Sequence, residues 1–182
     1  KLWNVAKFAL SNTEDFAPGE AVRETEVSDP INRWIADRTS HVIHSCRQAL
    51  EEYRFDLYAN HIYEFAWHEY CDWYIEMIKP NFWGDAEASE RRRETQQTML
   101  IVFETILKLA HPVMPFLTET LWQEIRLRSV KKPTTIMLER YPTPSDFRTD
   151  QQATQYVEWL KRCISSIRNI RGESQIKPNL KV

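Results

Sequence analysis

The chain has 182 residues, of which 42% are hydrophobic, and its formal net charge is −2; this length and composition allow one ordinary hydrophobic core. A total of three glycines excludes the glycine-rich phosphate loops of nucleotide-binding folds, and no apolar run has the length needed to span a bilayer. The three cysteines, an odd number spread widely along the chain, favour reduced thiols in a cytoplasmic protein over a disulfide framework.

Helical periodicity dominates the chain, so we expect an all-α protein. Residues 1–144 are predicted to form a bundle of about five helices, and residues 145–182 to begin a second unit with one helix and short strand pieces. Strands are expected at Ile136–Leu138 and within residues 174–182. The predicted helices span residues 1–11, 29 to about 54, 56–80, 87–110, 118 to about 128 and 150–171.

The predicted bundle is organised around residues 56–80. Apolar residues cover most of the circumference of this helix, which is typical of a helix with neighbours on several sides. Asp56 is a candidate N-cap, and Pro80 marks the end because proline cannot continue a helix. At about 3.6 residues per turn, the stripe expected to face inward comprises Ala59, Ile62, Tyr63, Ala66, Tyr70, Trp73 and Met77.

The first helix carries the candidate binding residues. Its inward face is predicted to consist of Leu2, Val5, Ala6 and Ala9. Asn4, Lys7, Phe8 and Ser11 fall together on the other face, because residues three and four apart are neighbours on a helix. An aromatic ring, an amide and a cation are the groups that bind unpaired bases. The alternative is that Phe8 packs against another part of a larger protein.

Metal and nucleophile patterns are incomplete in this sequence. His68-Glu69 begins like the H-E-x-x-H zinc motif, but Asp72 stands where the second histidine is required. No Glu-x-x-His pair of a di-metal bundle and no G-x-S-x-G motif occur, so neither a metal site nor a catalytic residue is predicted. A metal-dependent bundle enzyme and a helical protein-interaction scaffold remain as alternatives.

Four motifs in order along the chain resemble a known family. They are KLWN and KF in residues 1–8, YEFAWHEYCDWYIEMIKP in residues 63–80, LAHPVMPFLTETLW in residues 109–122, and RNIR in residues 168–171. Together they resemble the anticodon-binding helical bundles of class I aminoacyl-tRNA synthetases, and those of the valine enzymes most closely. Tyr70 stands where phenylalanine is usual, Ile75 where leucine is usual, and Lys7 where arginine is usual.

The resemblance implies recognition of the valine tRNA anticodon, whose second and third letters are A and C. It places Asn4, Lys7 and Phe8 at the anticodon, together with Ile75 and Glu76 of the central helix. It further implies that other domains of the same polypeptide bind ATP and magnesium and attach valine, that this fragment binds no cofactor itself, and that the parent enzyme is a cytoplasmic monomer. The corresponding domain of an isoleucine or leucine enzyme is the nearest alternative.

Overall fold

The computed structural model describes residues 1–15, 27–83, 89–126 and 134–176. The fold is an all-α helical bundle, as predicted, and no strand occurs within these ranges. None of the helices described combines the length and the apolar character required to cross a bilayer. The separate helices are α1 (Leu2–Ser11), α2 (Pro30–Glu51), α5 (Ser89–Ala110), α6 (Pro115–Arg126) and α7 (Gln151–Glu173).

One continuous helical rod, here called the central helix, runs from Phe55 to Phe82 between α2 and α5. It contacts α1, α2 and α5, which agrees with its predicted position inside the bundle. Its conformation changes along its length. The successive parts are α3 (Phe55–Tyr63), a π-helix (Glu64–Tyr74), α4 (Ile75–Ile78) and a 3₁₀-helix (Lys79–Phe82).

The buried side of the central helix repeats every four residues. Its members are Tyr58, Ile62, Ala66, Tyr70, Tyr74, Ile78 and Phe82, all of them buried. A step of four residues overshoots one α-helical turn by about 40° and falls short of one π-helical turn of roughly 4.4 residues. Because the two deviations have opposite signs, alternating α and π segments keep this row of side chains on one face of the rod.

The exposed residues of the central helix differ in part from the prediction. Tyr63 and Ala59 are exposed although the 3.6-residue period placed them inward, and Trp67 is exposed as well. Trp73 is half-buried, and its ring lies under the cations of Lys161 and Arg168 of α7 at 5.7 and 5.3 Å from the ring centroid. Ala59 and Tyr63 lie in α3, before the π-helix, so slower winding accounts only for changes of face from Glu64 onward.

The start of the central helix differs from the prediction by one residue. Asp56 is not the N-cap; the helix begins at Phe55, and Asp56 lies in the first turn. Its carboxylate forms an ion pair with Arg54 at 2.7 Å, and this hydrogen-bonded pairing lowers the pKa of Asp56 to about 2. Tyr53, with φ at 58°, makes the turn that precedes the helix.

The strand predicted at Ile136–Leu138 is wrong, because these residues form a 3₁₀ turn. The Thr135 hydroxyl accepts a hydrogen bond from the Met137 N–H at 3.3 Å, and the Glu119 carboxylate accepts one from the Ile136 N–H at 3.1 Å. The local N–H groups are therefore used by capping side chains rather than by a neighbouring strand. Of the second expected strand, residues 174–175 form a turn, and residues 177–182 lie outside the described ranges.

A buried polar cluster joins the start of α2 to α5 and the central helix. The Glu94 carboxylate accepts hydrogen bonds from the N–H groups of Ser28 and Asp29 at 2.9 and 3.0 Å and from the Asn32 amide at 2.9 Å. The Tyr74 hydroxyl donates to the Asn32 side-chain oxygen at 2.8 Å. These bonds satisfy N–H groups at a helix start and offset the cost of burying a carboxylate.

A second buried carboxylate fixes α7 on α2. Asp37 accepts hydrogen bonds from the Asp150 N–H at 3.0 Å and from the Thr154 hydroxyl at 2.7 Å. Asp150 in turn caps α7, since its side chain accepts a bond from the Ala153 N–H at 2.9 Å. The first turns of α7 are therefore positioned by α2, and this confirms the predicted helix start at residue 150.

Candidate nucleic-acid interface

Helix α1 lies beside the second half of the central helix and runs in the same direction. At one end, the Lys1 ammonium group lies 2.5 Å from the Asp72 carboxylate. At the other end, the rings of Phe8 and Phe82 meet edge to face, with 5.8 Å between their centroids. The stretch of the central helix between these two contacts includes α4, the segment that carries Ile75 and Glu76.

The faces of α1 agree with the helical period in the sequence. Val5, Ala6 and Ala9 are buried, and Leu2 is half-buried. The end of the helix is held by α5, because the Gln96 amide donates a hydrogen bond to the Asn12 carbonyl oxygen at 2.7 Å. Together these contacts make α1 a fixed support for whatever its outer face binds.

Asn4 and Lys7 are exposed on that outer face. Neither the Asn4 amide nor the Lys7 ammonium group has a hydrogen-bond or ion-pair partner within the described ranges. The neighbouring Ser11 hydroxyl donates to the Lys7 carbonyl oxygen at 2.8 Å and is used inside the helix. An amide and a cation therefore remain available to a ligand.

Phe8 is less exposed than the sequence indicated. Its ring is half-buried and packs against Phe82, which is itself buried. The guanidinium group of Arg92 lies 6.0 Å from the Phe82 centroid and pairs with Asp15 at 3.2 Å. The ring of Phe8 is thus held in place, which lowers the entropy cost of stacking a base against its exposed part.

Ile75 and Glu76 are adjacent in sequence but differ in exposure. Ile75 is only 5% exposed and belongs to the core, so its side chain supports the surface and does not form part of it. Glu76 is exposed, and both of its carboxylate oxygens lie near the Lys79 ammonium group, at 2.6 and 2.7 Å. Asn4, Lys7 and Glu76 are therefore exposed, Phe8 is half-buried, and Ile75 belongs to the core.

Two residues that contact members of this surface, Lys79 and Phe82, were not predicted from the sequence as site residues. Lys79 was noted only as part of a motif, although its spacing of three residues from Glu76 is the helical signal for such a pair. Phe82, which supports Phe8, follows Pro80, where the helical period of the sequence was expected to stop. No local pattern indicates that these two rings meet.

Neither a metal-binding cluster nor an activated buried thiol is supported by the described residues. Within them, no group of three or more histidine, cysteine or acidic side chains is arranged to hold a metal ion. Burial raises the pKa of the Cys46 thiol to about 12 and that of Cys71 to about 11. Thiols with such pKa values are protonated near neutral pH and are poor nucleophiles.

Comparison with known families identifies the chain at the level of the domain. Residues 32–182 match the family described as the anticodon-binding domain of tRNA ligase. The matched range includes the central helix and helices α5 to α7, while α1 lies before it. Since the match covers most of the sequence and the bundle has the expected all-helical architecture, the chain belongs to the anticodon-binding domain family of tRNA ligases.

Proposed function

We propose that this chain recognises the anticodon of valine tRNA as part of valine–tRNA ligase, and that α1 and α4 carry the contact surface. The observation that carries the proposal is that the Asn4 amide and the Lys7 ammonium group have no partner among the described residues and lie on the same helix as the anchored ring of Phe8. Anticodon binding follows from the family, whereas the choice of valine rests on the sequence motif in residues 63–80.

The chemistry of the surface suits the letters A and C. A side-chain amide can form two hydrogen bonds with an adenine edge, and a carboxylate can accept one from the amino group of cytosine. We therefore assign Asn4 to the adenine and Glu76 to the cytosine. Phe8 stacks on one of these bases. Lys7 contacts the RNA backbone, since an ammonium group acts as a point charge and lacks the two-pronged geometry of arginine.

The proposal also covers the parent enzyme. ATP and magnesium are bound, and valine is attached, by other domains of the same polypeptide, and the enzyme acts as a monomer in the cytoplasm. Residues 1–125 contain 21 Asp and Glu residues against 12 Lys and Arg residues. This acidic balance favours readout of individual bases over attraction to phosphates alone, because a purely electrostatic binder needs a basic surface.

The test is a titration of the chain with the anticodon stem-loop of valine tRNA and with a loop in which A and C are exchanged. We expect preferential binding of the native loop, because the two bases present different donors and acceptors to Asn4 and Glu76. The isoleucine and leucine anticodon loops distinguish the neighbouring family members. Preferential binding of the isoleucine or the leucine loop would assign the domain to the corresponding enzyme. No binding to any loop would favour the protein-interaction scaffold.

Phe8→Leu separates stacking from packing. Leucine keeps an apolar contact with Phe82 but has no ring face, so we expect loop binding to weaken by about 1–3 kcal/mol while the melting temperature changes little. Phe55→Leu, at an exposed ring outside this surface, is the matched control and should leave loop binding unchanged. Unaltered binding by the Phe8 variant would remove this ring from the recognition surface.

A further inference from the structure

A pocket of about 190 Å³ lies where α2, α5 and the segment before α7 meet. None of the α1 residues lines it, so it is separate from the surface proposed to read the anticodon. Its wall combines apolar side chains with two guanidinium groups and one carboxylate. Its lining includes Arg33, Thr98, Ile101, Phe147, Arg148 and Asp150.

Arg33 has an unsatisfied donor at this pocket. One terminal nitrogen of its guanidinium group pairs with the Asp150 carboxylate at 3.1 Å. Its Nε atom is buried and has no hydrogen-bond partner within the part of the chain that the structure describes. A buried N–H without an acceptor costs free energy comparable to a lost hydrogen bond, so a rotation of the guanidinium group that brings Nε to an acceptor in the pocket would be favoured.

The charges of the pocket favour an anion as that acceptor. The Asp150 carboxylate is already used, because one oxygen pairs with Arg33 and the other accepts the Ala153 N–H at 2.9 Å. Arg148 has no ion-pair partner in the described ranges and adds a second positive charge to the wall. The pocket wall therefore carries two positive charges, on Arg33 and Arg148, and one negative charge, on Asp150, whose two oxygens already have partners.

We propose that this pocket binds a phosphate group between Arg33 and Arg148. A phosphate has enough oxygens to accept bonds from two guanidinium groups on different segments and from the Thr98 hydroxyl. Ile101 and Phe147 provide apolar walls beside the two guanidinium groups. The phosphate comes either from an RNA backbone or from free inorganic phosphate.

The test follows the Nε–Hε signal of Arg33 by NMR during titration with inorganic phosphate, with chloride at equal ionic strength as the reference. The signal is identified by its absence in Arg33→Lys. We expect a saturable shift with phosphate only. Arg33→Lys keeps a cation near Asp150 but removes the Nε donor, and Arg148→Gln removes the second charge. Each substitution should weaken phosphate binding about tenfold. Because Arg33→Lys lacks the Nε–Hε signal, phosphate binding by this variant is followed through the backbone signals of other pocket residues.

Arg162→Gln, at an exposed arginine of α7 outside the pocket, is the matched control and should retain full phosphate affinity. A single-stranded RNA without terminal phosphates or valine anticodon sequence distinguishes the two sources. If this RNA shifts the Arg33 signal, and the shift is weakened by Arg148→Gln, the ligand is the phosphate of an RNA backbone. If inorganic phosphate shifts the signal and the RNA does not, the ligand is the free ion. No phosphate-specific shift, or unchanged affinity in both variants, would overturn the proposal and indicate that water satisfies Nε. Because α1 takes no part, the loop-exchange experiment can fail without affecting this result.

Discussion

Asn4 and Phe8 lie one turn apart on α1, but they report on RNA binding in different ways. Phe8 packs against Phe82, so its removal changes both the surface and the packing of α1. Asn4 is exposed and has no partner in the described ranges. Its replacement should therefore change recognition without changing the fold, which makes Asn4 the cleaner probe of the proposed contact.

Asn4→Ala should weaken binding of the native anticodon loop by about 1–3 kcal/mol, because a pair of hydrogen bonds to one base is lost. Binding of a loop with that adenine replaced should change much less, so discrimination at this position should decrease. Loop titration measures both quantities. Asn60→Ala, at an exposed asparagine of α3, is the control. Equal losses for both loops would show that Asn4 does not read the base.

The three cysteines should differ sharply in reactivity. Cys46 and Cys71 are buried, whereas Cys163 is partly exposed. With a pKa of about 12 for Cys46, only about one molecule in ten thousand carries the thiolate at pH 8. We expect iodoacetamide to label Cys163 first, with Cys46 and Cys71 labelled after unfolding, as followed by mass spectrometry. Labelling of Cys46 in the native chain at the rate of Cys163 would contradict its placement in the core.

The candidate surface was partly predictable from its residues. The exposure of Asn4 and Lys7 follows from the 3.6-residue period of a short regular helix, which holds along α1. The burial of Ile75 could not be predicted in that way, because the preceding π-helix changes which direction each residue faces. The support of Phe8 by Phe82 is a tertiary contact between distant segments, and neither segment encodes it locally.

At the scale of secondary structure, the junction between α2 and the central helix contains a residue in an unfavourable conformation. Tyr53 has a φ of 58°, in the left-handed region that costs a residue with a side chain about 1–2 kcal/mol. The conformation lets the Arg54 N–H donate to the Ala49 carbonyl oxygen at 2.8 Å and close the end of α2. The ring of Tyr53 is 79% exposed and adds little packing in return.

Tyr53→Gly should therefore stabilise the domain by about 0.5–1 kcal/mol, because glycine adopts positive φ without steric cost. Urea unfolding measures the change. Glu51→Gly, at the last residue of α2 with helical dihedral angles, is the control and should destabilise by a similar amount. A loss of stability in Tyr53→Gly would mean that the tyrosine ring contributes more than its exposure suggests.

The helices themselves were predicted well, since long periodic segments with capping residues leave little ambiguity. Asp29-Pro30 starts α2 as expected, and the Asp29 side chain accepts the Ile31 N–H at 2.8 Å. The 3₁₀ turn at Ile136–Leu138 was missed because three apolar residues look alike in a strand and in a capped turn. What decides between them is the Glu119 carboxylate from α6, which the local sequence does not contain.

At the scale of the whole molecule, the core contains acids that ionise with difficulty. Burial raises the pKa values of four tyrosines above their ordinary 10.0 and those of two cysteines above 9.0; they are Tyr58, Tyr70, Tyr74, Tyr141, Cys46 and Cys71. The tyrosine hydroxyls are hydrogen-bonded, for example that of Tyr70 to the Met99 carbonyl oxygen at 2.8 Å. The core is therefore built to keep these groups neutral.

We expect the free energy of unfolding to fall as pH rises above about 9 to 10. In the unfolded chain these groups lose their protons in that range, whereas in the folded chain they retain them, so deprotonation favours the unfolded state. The stability is fully present below about pH 9. Each such group removes up to about 1.4 kcal/mol per pH unit. Urea unfolding between about pH 7 and pH 11 measures the decline, and constant stability across that interval would contradict the burial of these groups.

The π-helix has a consequence for how insertions and deletions act on this domain. Over its 11 residues, the slower winding offsets the downstream chain by roughly half a turn relative to a regular α-helix. That phase difference sets Glu76 toward solvent and Ile75 toward the core, although both lie beyond the segment. Removing one residue between Glu64 and Tyr74 would therefore rotate the presented side of α4 without altering any residue there. The length of the π-helix therefore determines which side chains of α4 face solvent and which pack in the bundle.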